Sequence, residues 1–156
     1  MTKTKVDLGI VQETLLLTLW ARAAELQQPD PIICDSKSAE ILEAIDYDFD
    51  KLATAKMSQV GCCLRGLILD NWVRTYLKQH PQGSVVEIGA GLNTRFERVD
   101  NGEVRWFDLD LPDSMRLRKQ FFEETERRKF ITASALETDW IASVKAVSAE
   151  PCLFVA

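Results

Sequence analysis

Histidine is almost missing from this sequence of 156 residues: His80 stands alone. A Ser-His or Cys-His catalytic pair has no other imidazole to draw on, and a zinc site is not expected. His80 itself lies in His80-Pro81-Gln82-Gly83, a helix-stop signature, and reads as a turn residue. Cysteine is sparse as well. Cys34, Cys62, Cys63 and Cys152 form no Cys-x-x-Cys pair. Reduced thiols and a cytoplasmic location are therefore expected. With 7 glycines and 5 prolines, collagen-like and low-complexity chains are excluded. No apolar run approaches the roughly 18–20 residues of a membrane helix, and no secretory pattern is read after Met1. Nor is there an excess of positive charge. The 19 Lys and Arg stand against 24 Asp and Glu, a net charge of -5, which argues against a nucleic-acid partner.

What is present is the composition of a packed protein, 46% apolar and 28% charged. A chain of this length buries roughly 70% of the surface its unfolded form exposes. The pattern changes near Gly83, which divides a helical region, 1–82, from a region of alternating strands and helices, 83–156.

In the first region a helix is predicted over 7–27, carrying Leu15, Leu16, Leu19 and Trp20 and stopped by Pro29 and Pro31. A second begins after Asp35 or Ser36, either of which can cap it, with Ala39, Ile41, Leu42 and Ile45 inward. Residues 46–50 form an acidic loop without the glycine and glutamate of a calcium loop. A third helix over 58–79 places Val60, Leu64, Leu67, Ile68, Trp72, Val73, Tyr76 and Leu77 on its apolar face. Arg65, beside that face, reads locally as a surface cation or a salt-bridge partner.

In the second region buried strands are predicted over 84–88, 104–109, 130–133 and 152–156, with helices over 112–128 and 139–146 between them. Strand and helix alternation implies a parallel sheet of the doubly wound α/β class, a Rossmann-like half-sheet of about four strands. The basic clusters 116–119 and 127–129 alternate with Glu123, Glu124 and Glu126 and read as a solvated helix face. Trp20, Trp72, Trp106 and Trp140 read as scattered core aromatics.

The chemistry-bearing stretch follows the first of these strands. Glu87-Ile88-Gly89-Ala90-Gly91-Leu92-Asn93-Thr94 puts two glycines where a backbone must approach a ligand closely. A dinucleotide fingerprint needs a third glycine, and Thr94 stands there. The acid-x-Gly-x-Gly order is instead common in S-adenosyl-L-methionine (SAM) methyltransferases. Asp108 and Asp110, at the end of the second strand, are where a carboxylate accepts the hydroxyls of a ribose.

These residues resemble the leucine carboxyl methyltransferase family, which includes the tetracenomycin-type polyketide O-methyltransferases. The likeness rests on the turn Gly89-Ala-Gly-Leu-Asn-Thr-Arg95, with Asn93 for the usual Asp, and on Trp106-Phe-Asp-Leu-Asp-Leu-Pro112. The segment 31–36, the Arg-bearing stretch 64–70 and Ser134-Ala135-Leu136 with Asp139-Trp140 extend it over about 29–156.

The resemblance implies SAM as cofactor and a small-molecule methyl acceptor. It implies that Arg65 pairs with the SAM carboxylate and that Gly89 and Gly91 accommodate its methionine part. Asp110, rather than Asp108, would hold the ribose, and Ala135 and Leu136 would flank the adenine. Glu87 and Asn93 would support the turn, and their local reading is also structural. No residue is singled out as a catalytic base, and no metal is implied. Family members are nearly twice as long, so the chain reads as an amino-terminal portion with most of the cofactor floor and little of the acceptor site. The last strand would then expose an unpaired edge, through which self-association is expected. Two readings compete with an enzyme: a SAM-binding or assembly module needing a partner, and half of a nicotinamide oxidoreductase, which Thr94 disfavours.

Overall fold

The computed structural model describes residues 4–5, 10–52, 54–148 and 151–156. In chain order its elements are β1 (Thr4–Lys5), α1 (Ile10–Glu25), α2 (Ser36–Ala44), β2 (Ile45–Asp46), a 3-10 helix (Phe49–Leu52), α3 (Lys56–Gln79), β3 (Ser84–Ile88), α4 (Arg95–Val99), β4 (Arg105–Asp110), α5 (Pro112–Arg118), β5 (Arg128–Thr132), α6 (Asp139–Val147) and β6 (Cys152–Val155). They fall into two compact units, residues 1–70 with 92–98, and 71–91 with 99–156.

The first unit is helical. α1 stops at Glu25, before the prolines, and residues 7–9 of its predicted start lie outside the described residues. Asp35 caps α2, its carboxylate accepting from the Ser38 amide at 3.0 Å. Ile45, predicted on that helix, instead leaves it in extended conformation and pairs with Thr4 in a two-residue parallel ladder. Ala21 of α1, Ile33 and Cys63 of α3 form one buried cluster. Burial, and then the charge of Glu25, push the Cys63 thiol up to about 11.

The apolar face assigned to α3 is corrected. Val73 and Leu77 are buried, but Val60, Leu64, Ile68 and Trp72 are exposed, together with Met57. The helix carries two apolar stripes. Among the described residues, only the one running through Cys63, Val73 and Leu77 is covered.

The second unit is built on a parallel four-stranded sheet in the order β5-β4-β3-β6. This is the Rossmann-like half-sheet. β3 is central, and its apolar run Val85-Val86 is buried on both faces. Val86, Phe107 and Leu109 form one face with Trp140 and Val144 of α6. Trp106, Asp108 and Asp110 alternate onto the other.

Tyr76, near the end of α3, donates to the carbonyls of Ser84 (3.2 Å) and Pro151, at the starts of β3 and β6. A Cβ on Gly83 would lie 2.9 Å from the Tyr76 ring carbon Cζ, so the turn after His80 requires glycine. Among the described residues β6 pairs with β3 alone and forms an edge of the sheet.

Two further readings are corrected on the Asp108 face. The helix predicted over 112–128 ends at Arg118, and β5 already begins at Arg128. The basic clusters are not a uniformly solvated helix face. Arg118 is fully buried and Arg128 nearly so, both paired with Asp108. The register Trp106↔Arg128 draws Arg128 into the ladder, where its guanidinium reaches Asp108 two residues on. Of the four tryptophans, Trp72 departs from the core reading and lies exposed.

Candidate functional site

Ligands of open α/β sheets bind outside the carboxyl ends of the strands, where the strand order reverses. In this sheet that place is the end of β3, between β4 and β6. The chain leaves β3 through Gly89 and Gly91, with φ of +68° and +47°. Those values are open to glycine and strained for a side chain. Gly89 is exposed, and among the described residues no atom beyond its own and those of its chain neighbours lies within 4 Å of where its Cβ would be.

Hydrogen bonds fix the turn on both sides. The amides of Gly89 and Ala90 donate to the Leu109 carbonyl at 2.8 and 3.1 Å. The Gly91 amide donates to Asp110 Oδ2 at 2.6 Å, and the Leu111 amide to Asp110 Oδ1 at 2.7 Å. From the interior, Arg118 Nη1 donates to the carbonyls of Gly91 (2.7 Å) and Ala90 (3.3 Å).

Asp110 thus has one backbone N–H on each oxygen and stays half-buried at the strand end. A carboxylate offers about four lone-pair sites. Two remain for a pair of neighbouring hydroxyls.

The other predicted residues of this unit divide sharply. After β5 the Ser134 hydroxyl accepts from the Leu136 amide at 3.2 Å, shaping a turn that leaves Ala135 and Leu136 exposed, Leu136 by 94%. This turn stands at the same carboxyl edge as Asp110, whose carbonyl accepts from the Ala133 amide at 3.1 Å. Asp108 does not reach that edge. It is fully buried, with Oδ2 2.7 Å from Arg128 Nε and Oδ1 3.0 Å from both Arg118 Nη2 and the Trp106 indole nitrogen. Glu87, beside it in the ladder, is buried too. The structure brings together Gly89, Gly91, Asp110, Ala135 and Leu136 along one edge.

The first unit holds the remaining candidates. Arg65 is exposed on α3. Asn93 is half-buried and accepts from Arg98 at the long distance of 3.5 Å. The residues around Asn93 carry a network that local patterns do not reveal. Thr94, in the place of the third glycine, is fully buried and donates to Asp35.

Asp35 also takes Arg22 Nε and Arg98 Nη1, each at 2.8 Å. Asp70 takes Arg95 Nε at 3.0 Å and Arg98 Nε at 2.7 Å. Burial acts to raise the Asp35 carboxyl, but Arg22 and Arg98, with Ser38 and Thr94, outweigh it and hold it below its ordinary range. Arg22 also donates to the Leu92 carbonyl at 2.9 Å. The residues just after the glycine turn are thereby tied to α1, α2 and α3 within this unit. The sole signal for this network in the sequence is the early Asp-bearing segment of the resemblance.

The chain is 38% identical over 135 residues to the tetracenomycin polyketide synthesis O-methyltransferase TcmP of Streptomyces glaucescens, covering 86% of this chain and 50% of that protein. It is 30% identical over 134 residues to the S-adenosyl-L-methionine-dependent methyltransferase dpfgK of Gibberella zeae, covering 80% of this chain and 45% of that protein. No family model matches the sequence. The chain spans about half the length of the curated relatives it matches. Over most of its length, this chain is similar to these two methyltransferases.

Proposed function

We propose that this chain carries the cofactor-binding half of a SAM-dependent O-methyltransferase of the leucine carboxyl methyltransferase type, acting on a carboxylate or hydroxyl oxygen of a small metabolite in the cytoplasm. The observation that carries the reading is the glycine turn held against Asp110, at the switch point of the sheet.

The donor set fits the cofactor. The two spare acceptor sites of Asp110 suit the ribose diol, and the exposed Ala135 and Leu136 offer an apolar rest for a purine. Gly89 leaves room for the chain of the amino acid. The resemblance, rather than the structure, gives Arg65 the role of pairing with the amino-acid carboxylate. Asp108 has no such part in the proposal, because its oxygens are engaged in the core.

Bound SAM supplies an electrophilic methyl group on a sulfonium. The residues of this chain hold and orient it, which is where most of the advantage of an in-line displacement arises. A carboxylate acceptor needs no base, whereas a hydroxyl benefits from one; we assign no base here. Calorimetric titration with SAM and S-adenosylhomocysteine tests the reading. Wild-type binding should weaken about tenfold or more in both Asp110→Ala and Arg65→Ala, the scale of losing a hydrogen bond to a charged group. A folded chain that binds neither ligand would sink it.

A second reading, an assembly module that needs a partner bearing the rest of a sheet, is favoured by β6. That strand is an edge, and its Phe154 is 51% exposed. Pairing between copies through that edge would appear as a concentration-dependent dimer in sedimentation, and a monodisperse monomer counts against it.

A further inference from the structure

We propose that Arg118 is a positioning residue for the ribose-binding carboxylate, acting on Asp110 through the peptide between Ala90 and Gly91. The proposal rests on the cofactor reading above.

A peptide unit is planar, so its N–H and C=O point in opposite directions. In this peptide the Gly91 N–H points to Asp110 Oδ2 at 2.6 Å, and the Ala90 carbonyl accepts from Arg118 Nη1 at 3.3 Å. The same nitrogen takes the next carbonyl, that of Gly91, at 2.7 Å. Rotation of the plane would break both ends together. Glycine at φ +47° offers little resistance to such rotation of its own. The stiffness of the turn must therefore come from its partners, and Arg118 is the one on the interior side.

Arg118 is itself immobilised. It is fully buried, lies 3.0 Å from Asp108 and stacks on Phe122, with 4.3 Å from guanidinium carbon to ring centroid. Asp108 is shared with Arg128 at 2.7 Å. One carboxylate thus faces two guanidinium groups, and the carbonyls of Ala90 and Gly91 take up donor capacity that Asp108 cannot satisfy alone. A lysine here would keep the charge but lose the planar fork that spans a carboxylate and two carbonyls.

The test separates positioning from general stability by a ratio. Affinity is measured by calorimetry for S-adenosylhomocysteine and for its 2′,3′-dideoxy analogue, in wild type, Arg118→Met, Arg118→Lys and Asp110→Asn, with folding checked by circular dichroism. Wild type should prefer the diol by about tenfold or more. In Arg118→Met and Asp110→Asn the preference should fall to about twofold, and the double variant should fall no further.

Arg118→Lys should restore folding stability without restoring the preference. A purely structural role would weaken both ligands equally and leave the ratio intact, and that result in a folded variant overturns the proposal. Should Arg118→Met not fold, Arg118→Lys reads the same ratio; failure of both to fold assigns Arg118 to the core alone and also overturns it. Wild type that binds neither ligand overturns the cofactor reading itself, a different outcome from binding with an unchanged ratio.

Discussion

Asp35 sits between Arg22 and Arg98 in the first unit, almost wholly removed from water. Burying a carboxylate is costly, and here two guanidinium groups and two hydroxyls offset the cost. The sign of the pH effect follows from the direction of its shift. Its folded pKa lies below the unfolded value, about 3.9 for an ordinary Asp. Its contribution to stability is therefore fully present above that value and is lost as pH falls through the folded pKa.

Asp35→Asn should cost about 3–5 kcal/mol at neutral pH, because two buried guanidinium groups lose their shared anion. In urea denaturation from pH 7 to 2, the variant should show a shallower acid decline below about pH 4 than wild type. Parallel curves would contradict this account. Asp35 also shows why residue roles were unevenly legible. Its partners lie as far away as Arg98, so no window on the sequence contains the network. The long-range contact of Asp110 is simpler, a single bond from Gly91, which belongs to a turn written in consecutive residues.

Among the elements, β3 and β4 follow their predicted segments within one residue at each end, because each carries adjacent apolar residues buried on both faces of the sheet, Val85-Val86 and Trp106-Phe107. α5 did not. The arginines at 118 and 128 look like solvated charges until Asp108 is placed between them, and Asp108 itself reads as a ligand-facing acid. Charge spacing alone does not distinguish a buried guanidinium from a wet one.

α3 misled differently, since its periodicity is real but only one of its two apolar stripes is covered. Leu64→Ser and Ile68→Ser should each change unfolding free energy by no more than about 0.5 kcal/mol, as at other open surface sites. Leu77→Ala, on the buried side, should cost about 2–5 kcal/mol. Urea denaturation of the three variants checks this. A loss of more than about 2 kcal/mol at Leu64 or Ile68 would mean that this face is covered after all.

For the molecule as a whole, the sheet order β5-β4-β3-β6 explains why one edge collects the candidate residues. Parallel strands deliver the Gly89 turn, Asp110 and the Ala135-Leu136 turn to the same side, whatever their separation in sequence. The chain spans about half the length of the curated relatives it matches.

The most direct measurement of the central claim is an amide NMR titration of the chain with S-adenosylhomocysteine. Saturable shifts are expected at Gly89, Gly91, Leu111, Ala135 and Leu136, abolished in Asp110→Ala, with little change at Asn101 and Gly102 in the loop before β4. No shift in a folded chain, or shifts confined to residues away from the carboxyl edge of the sheet, would contradict it.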